Sequence, residues 1–281
     1  MIRVLITGAG SYIGGQIAQS LPADSFDVRE ADVRNGLQAD AFQGIDAVIH
    51  VAGIAHQKET RENAPLYDRV NRALAVETAA MAKAAGVRQF VFFSSMSVYG
   101  MTTGHITQDT EPAPNTCYGR SKWEAEKEIT TLKDDSFQVA ILRPPMIYGR
   151  GCRGNYPRLA ALARKLPLFP RCGNQRSMLY IETLCAFVRH LLESGRGGLY
   201  FPQNSEYVNT SVLVSAVARC HGRRIALMPG FDRLLRLMSR HLGIAGKVFG
   251  SLTYDQNMSM DFASAGQIPF EETIRRTEGA R

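Results

Sequence analysis

Short apolar runs alternate with longer stretches of helical periodicity along most of this chain. Val4-Leu5-Ile6 leads into Thr7-Gly8-Ala9-Gly10-Ser11-Tyr12-Ile13-Gly14 and then into apolar positions at Ile17, Ala18 and Leu21, which predicts a strand, a glycine-rich turn and a helix. Phe26 to Asp32 alternates as a second strand. Asp46 to Gly53 reads as a buried-type strand closing on small residues, and Phe90 to Phe93 is fully apolar, as in a parallel sheet covered on both faces. Between them a helix is predicted from about Pro65 to Ala85, with Leu66, Val70, Leu74, Met81 and Ala82 on its apolar side. Another helix starts near Trp123, and Val139 to Leu142 is a strand stopped by Pro144 and Pro145. Helical patterns recur at about 157–165, 181–194 and 211–221, residues 231–242 read as a basic amphipathic helix, and the last few residues read as frayed. Strands alternating with helices predict an α/β fold built on a doubly wound parallel sheet. The expected division is 1–148 for that sheet domain, with about 177–196 packing back onto it, and 149–281 for a smaller domain.

The 281 residues suffice for a full core, and 45% hydrophobic with 21% charged residues is ordinary for a soluble globular protein. No signal peptide or membrane span is expected, and five cysteines without a CxxC pair speak against a disulfide framework or a metal site and for the cytoplasm. The net charge of +7 changes the picture by its placement. Between Asp135 and Glu182 there is no carboxylate, while Arg143, Arg150, Arg153, Arg158, Arg164, Lys165, Arg171 and Arg176 all fall there. No nucleic-acid motif accompanies them, so a phosphate-bearing small molecule is the expected partner. The 231–242 helix could lie on a membrane, but packing on its own domain is the stronger expectation.

The candidate chemistry starts at the first turn. A strand, a glycine-rich turn and a helix form the setting in which backbone N–H groups hold a pyrophosphate, Gly8 and Gly10 serving the turn and Gly14 the close packing of helix on strand. This makes the sheet a Rossmann domain. Asp32, 18 positions after Gly14, is placed to accept from adenosine ribose hydroxyls, which favours NAD; Arg29 or Arg34 beside it leaves NADP open. Ser94 and Ser95 end a strand where ligands bind open parallel sheets. Tyr118 and Lys122 stand four apart at the start of a helix, hence on one face, and an ammonium near a phenol can bring its pKa down into the range of a general acid/base.

Taken in order, Thr7 to Gly14, His50-Val51-Ala52-Gly53, Asn71, Ser94-Ser95 with Val98-Tyr99-Gly100, Tyr118-Gly119-Arg120-Ser121-Lys122 and Leu142-Arg143-Pro144 resemble the extended short-chain dehydrogenase/reductases, which include the NAD-dependent epimerase/dehydratase family. The resemblance implies that Tyr118 is the general acid/base, that Lys122 lowers its pKa and holds the nicotinamide ribose, and that Ser95 hydrogen-bonds the reacting oxygen. It implies a cofactor site of Gly8, Gly10, Ser11, Tyr12, Ile13, Gly14, Asp32, Val51, Ala52, Gly53, Ser94, Tyr118 and Lys122. It implies a nucleotide-diphosphate sugar, expected to be UDP-linked, held by Ser95, Met96, Arg153, Asn155 and Arg176, with Arg176 clamping the diphosphate. A homodimer through the helices bearing Asn71 and Lys122 is expected by analogy.

Departures sharpen this expectation. Ser11 replaces the middle glycine of the usual TGxxGxxG pattern, so an altered loop is expected. Met96 and Ser97 stand where sugar dehydratases of the family carry an acidic pair, which argues against dehydration. Ala55 and Met146 replace a lysine and an asparagine seen in galactose epimerases and other members. The pattern slightly favours 4-keto-sugar reduction over 4-epimerisation. The alternative is a non-catalytic nucleotide-binding protein of the same fold.

Overall fold

The structure, a computed structural model, describes residues 1–34, 36–55, 59–230, 249–259 and 266–279. It divides into two compact units. One comprises Met1–Gly100, Glu111–Pro144 and Leu184–Pro202; the other comprises Met101–Thr110, Pro145–Thr183 and Gln203–Arg281.

The first unit is built on a six-stranded sheet in the order β2-β1-β3-β4-β6-β10, with every neighbouring pair parallel. Its strands are β1 (Ile2–Thr7), β2 (Phe26–Ala31), β3 (Ala47–His50), β4 (Gln89–Phe93), β6 (Gln138–Leu142) and β10 (Gly198–Tyr200). All four residues of β3 and all five of β4 are buried, the apolar Ala47–Ile49 and Phe90–Phe93 together with the polar His50 and Gln89 at their ends. Leu5, Val48, Phe90, Phe92, Val139 and Ile141 face one buried cluster with Ala75, Ala79 and Ala82 of α3 (Leu74–Ala84) and Ala125 and Ile129 of α4 (Cys117–Thr130). On the opposite side of β1, Ile6 lies against Gly14 of α1 (Tyr12–Ser20), so helices cover both faces. Counted along the chain the order is 2-1-3-4-5-6, which places the topological switch point between β1 and β3. Among the described residues the stretch between β2 and β3 contributes only a 3-10 turn, Ala39–Phe42.

The predicted helix after β3 needs a correction. It comprises α2 (Ala64–Tyr67), a π-helical turn (Asp68–Ala73) and α3 in direct succession. Its buried positions are Tyr67, Asn71, Ala75, Thr78, Ala79 and Ala82, while Leu66 is 40% exposed. Close packing on the sheet selects the small side chains and leaves the larger aliphatics at the margin.

Among its described residues the second unit holds three two-stranded parallel pairs: β5 (Gly104–Ile106) with β12 (Leu252–Tyr254), β7 (Met146–Tyr148) with β9 (Met178–Tyr180), and β8 (Leu168–Pro170) with β11 (Ala226–Met228). Its helices are α5 (Asn155–Lys165), α7 (Thr210–Cys220) and α8 (Phe270–Glu278). A further helix, α6 (Ile181–Ser194), begins here and runs into the first unit. α8 begins with Glu271 and Glu272, ends with Arg275 and Arg276, and is closed by Gly279 at φ 68°, the charge order and cap a helix dipole favours. The predicted helix at 231–242 lies outside the described residues, and among those described no helix is long and apolar enough to cross a membrane.

Candidate active site

The glycine-rich turn follows β1 directly. Thr7 Oγ1 and His50 Nδ1 share a buried 2.9 Å hydrogen bond, which ties the ends of β1 and β3. The N–H groups of Gly8 and Ala9 donate to the Ala31 carbonyl at 2.9 and 3.0 Å. Gly8 has φ +96°, and a Cβ there would stand 3.1 Å from the Ala52 backbone, so both conformation and space require glycine. Gly10 has φ +74° and opens to solvent, its N–H 3.4 Å from Glu30 Oε2. Ser11 has φ −73°, which any residue adopts, and its Oγ accepts from Gly14 N–H at 3.2 Å as the cap of α1. The serine therefore completes the turn where an altered loop was expected. A Cβ on Gly14 would meet Ser11 Oγ at 2.7 Å, Val51 at 3.1 Å and Ile6 at 3.2 Å, the close packing of helix on strand that its position predicts. Tyr12 and Ile13 form the first turn of α1, half-buried.

Asp32 follows the last residue of β2, beside this turn. Its carboxylate accepts from Arg34 N–H at 2.9 Å and from the Arg34 guanidinium, which holds its pKa down at about 2. The two residues weighed against each other as markers of NAD and NADP thus form one ion pair.

The second half of the site comes from β3, β4 and α4. Asn71, fully buried in the π-helical turn, accepts from Ile54 N–H at 2.8 Å and donates to the Ile54 carbonyl at 3.1 Å and to Ser121 Oγ at 3.2 Å. It fixes the chain after Val51, Ala52 and Gly53 against α4. A Cβ on Gly53 would lie 2.9 Å from Asn71 Oδ1 and 3.4 Å from Lys122 Nζ, so the small residue leaves that floor open beside the ammonium. β4 ends at Phe93, whose carbonyl accepts from Lys122 Nζ at 2.8 Å. Ser94 Oγ hydrogen-bonds the Glu126 carboxylate. Ser95 opens a 3-10 turn, Met96–Tyr99, where its Oγ accepts from Ser97 N–H at 3.1 Å and lies 3.2 Å from Ser97 Oγ. Met96 is buried, with its N–H on the Pro144 carbonyl at 3.0 Å.

α4 is capped by Thr116, whose Oγ1 accepts from Gly119 N–H at 3.0 Å. A Cβ on Gly119 would fall 2.5 Å from the Ser97 carbonyl oxygen, so the first turn of α4 rests directly on the Ser95–Ser97 turn. This contact sets the first turn of α4, which bears Tyr118, beside Ser95. Burial pushes the Tyr118 phenol above its ordinary value, Ser95 lowers it, and Tyr67 raises it further. Lys122, expected from the resemblance to lower the Tyr118 pKa, stands one turn further along α4. The ammonium is buried, held by the Phe93 carbonyl and 4.6 Å above the Phe92 ring, and burial brings its own pKa down to about 8 against the opposing pull of Glu126.

These groups fit a dinucleotide. The first turn of α1 presents its amides behind the open Gly10, and the Gly53 floor lies beside a buried ammonium. Sequence reading missed Glu59, which accepts from the N–H groups of Cys117 and Tyr118 at 2.9 and 3.0 Å, because it stands in a polar stretch with neither periodicity nor motif.

The basic stretch also needs correcting. Arg143 is buried in the first unit against Glu126, Nη2 to Oε2 at 2.6 Å, and Arg164 of the second unit pairs with Glu278 at 3.1 Å. A segment without carboxylates in sequence finds them in space. In the second unit Arg153 and Asn155 are exposed, and Arg176 Nη1 donates to the Gly250 carbonyl at 2.8 Å with its pKa lowered to about 10 by burial.

A UDP-glucose 4-epimerase from Vibrio cholerae is 29% identical over 245 residues, covering 76% of this chain and 74% of its own. An N-acetyl-alpha-D-glucosaminyl-diphospho-ditrans,octacis-undecaprenol 4-epimerase from Escherichia coli O157:H7 is 27% identical over 249 residues, 80% of this chain and 74% of its own. The structure of UDP-glucuronic acid 4-epimerase from Bacillus cereus in complex with NAD shares the fold at a TM-score of 0.78 and 18% identity, covering 99% of this chain and 98% of that one. Residues 4–200 match the NAD dependent epimerase/dehydratase family, and the chain belongs to that family.

Proposed function

We propose that this protein is a NAD-dependent 4-epimerase of a nucleotide-linked, UDP-type hexose. The observation that carries the reading is the close contact between the Ser95–Ser97 turn, at the carboxyl end of β4, and the first turn of α4, which bears Tyr118 one helical turn from the buried Lys122. Gly8, Gly10, Ser11, Tyr12, Ile13, Gly14 and Asp32 hold the cofactor's phosphates and adenosine ribose, and Val51, Ala52, Gly53, Ser94 and Lys122 surround its nicotinamide end. Bound NAD supplies hydride acceptance and return. Tyr118, as the phenolate that the Lys122 ammonium would stabilise once substrate and cofactor are bound, would take the proton from the C4 hydroxyl as that carbon is oxidised and give it back as the carbon is reduced, while Ser95 hydrogen-bonds the same oxygen. Lys122 contributes fixed positive charge beside the ribose. Arg176 is the residue proposed for the substrate diphosphate, with Arg153 and Asn155 as further candidates for the same role. Met96 and Ser97 provide no acid–base pair for water elimination.

The motif pattern alone leans toward 4-keto-sugar reduction. The 4-epimerase names of the two curated relatives, each matched over 74% of its length, support epimerisation instead. Purified protein is expected to carry NAD through gel filtration and to interconvert UDP-glucose and UDP-galactose without net change in NADH. Stoichiometric NAD(P)H consumption with a UDP-4-keto-sugar would replace epimerisation with reduction. Tyr118→Phe is expected to lower turnover by about 10²- to 10⁴-fold with NAD affinity retained; full activity in that variant would overturn the role given to Tyr118, and NAD binding without turnover by the wild type would favour the non-catalytic reading.

A further inference from the structure

The start of α4 is held by two side chains. Thr116 takes the third free amide of the helix, Gly119 N–H, in the ordinary manner of a cap. The first two, on Cys117 and Tyr118, are taken together by one carboxylate from a distant stretch of chain: Glu59 Oε2 lies 2.9 Å from Cys117 N and Oε1 lies 3.0 Å from Tyr118 N. A bidentate carboxylate on the first amides of a helix is the strongest arrangement open to these groups, since each bond is charge-assisted and the helix dipole favours the negative charge. Glu59 is half-buried, and so are Cys117 and Tyr118. Tyr67 of α2 is buried and lies close enough to feel Glu59, Cys117 and Tyr118.

Tyr118 occupies the second position of α4, where fraying begins. The next residue, Gly119, is pressed against the Ser97 carbonyl, so the helix start has a support on the side of the Ser95 turn and needs one on the other. Glu59 supplies it. We infer that Glu59 is a positioning residue: its bidentate grip on Cys117 N–H and Tyr118 N–H holds the first turn of α4, and with it the Tyr118 phenol, in register with Ser95. The inference deepens the proposed reading and rests on it wherever turnover is measured. The contact itself is independent of any reaction. Glu59 does not move the proton; it acts through Tyr118.

The test uses the full chain with Glu59→Ala and Glu59→Gln. Amide hydrogen exchange at Cys117 and Tyr118 is followed by NMR without substrate, and kcat and KM are followed with NAD and UDP-glucose. In Glu59→Ala, exchange at these two amides should rise at least about tenfold while the Gly119 amide changes little, and kcat should fall about 10- to 100-fold with KM for UDP-glucose within about twofold. Glu59→Gln keeps one accepting oxygen and should protect one of the two amides, with an intermediate kcat. Unchanged exchange in Glu59→Ala overturns the positioning role whether or not UDP-glucose is turned over. Raised exchange with unchanged kcat in an active enzyme overturns it too, as does a loss of activity that appears only as a raised KM. If the wild type does not turn over UDP-glucose, the proposed function fails on its own, and NAD affinity of the variants, expected within about twofold, with the exchange rates still decides for or against Glu59.

Discussion

His50 shows how a residue can be fixed by its surroundings and still carry no visible chemistry. Its ring is fully buried between Phe90 and Phe92, bonds Thr7 through Nδ1, and leaves Nε2 without a hydrogen-bond partner. Burial first, and the Lys122 charge second, lower its pKa to about 3. The sign follows directly. Below the ordinary value of 6.5 the unfolded chain binds a proton that the native ring refuses, so the stability from keeping His50 neutral is present above pH 6.5 and is lost as pH falls toward about 3. Urea titrations are expected to show unfolding free energy dropping by as much as about 1.4 kcal/mol per pH unit from this group. His50→Phe should flatten that part of the dependence; an unchanged slope would place the acid sensitivity elsewhere. Lys122 has a lowered pKa of the same cause in the alkaline range. Between about 8 and 10.5 the unfolded chain holds a proton that native Lys122 has given up, so stability should rise with pH through that window and Lys122→Met should remove the rise.

Among the elements, α4 does the most positioning, and it was the most legible in sequence. The spacing of Tyr118 and Lys122 marks its start, and Trp123 to Glu128 its course, because both follow from the 3.6-residue period. The buried strands β3 and β4 were legible for a related reason, each being an apolar run with one polar residue at an end, His50 and Gln89. What escaped was set by contacts distant in sequence. Asn71 fastens Ile54 to Ser121, Glu59 grips the start of α4, and Arg143 finds Glu126; none of these pairings has a period or a fixed spacing. The short pairs β5–β12, β7–β9 and β8–β11 are three residues per strand, too brief to show alternation. α8 buries Phe270, Thr273, Ile274 and Thr277 at helical spacing, but two threonines hide the stripe from a hydrophobicity reading. Within α4, Gly119 has no conformational need for glycine; its need is steric, 2.5 Å to the Ser97 carbonyl. Gly119→Ala should raise helix propensity and still lower Tm by several degrees and kcat at least about tenfold, because the helix must lift off the Ser95 turn. Wild-type kcat in Gly119→Ala would mean that the contact does not govern the site.

Across the whole molecule, the two compact units invite a test of how far each stands by itself. The second unit is fastened by α8. Glu278, only 5% exposed, accepts from Tyr156 Oη at 2.8 Å and Arg164 Nη1 at 3.1 Å and lies 2.7 Å from His221 Nε2. Thr273 shares a 2.6 Å hydrogen bond with the buried Tyr148 hydroxyl, and Arg219 pairs with Glu271. These contacts join α5, β7, α7 and α8 and include no atom of the first unit. The first unit has its own sheet, its own apolar cluster and its own buried Glu126–Arg143 pair, with Ser95, Tyr118, Lys122 and the glycine-rich turn inside it. Removing residues 269–281 should therefore loosen the second unit and spare the first. Limited proteolysis is expected to cut the truncated chain within 145–183 or 203–230 while 1–100 stays protected, and calorimetry should resolve two transitions where a single ΔG no longer describes unfolding. Glu278→Gln should act in the same direction by about 2–3 kcal/mol, the scale of hydrogen bonds to a charged group. NAD affinity measured by titration should change by less than about threefold in the truncated chain, because every residue assigned to the cofactor lies in the first unit. Loss of NAD binding together with a single cooperative transition would show that the units fold as one, and would make α8 a support of the cofactor site as well.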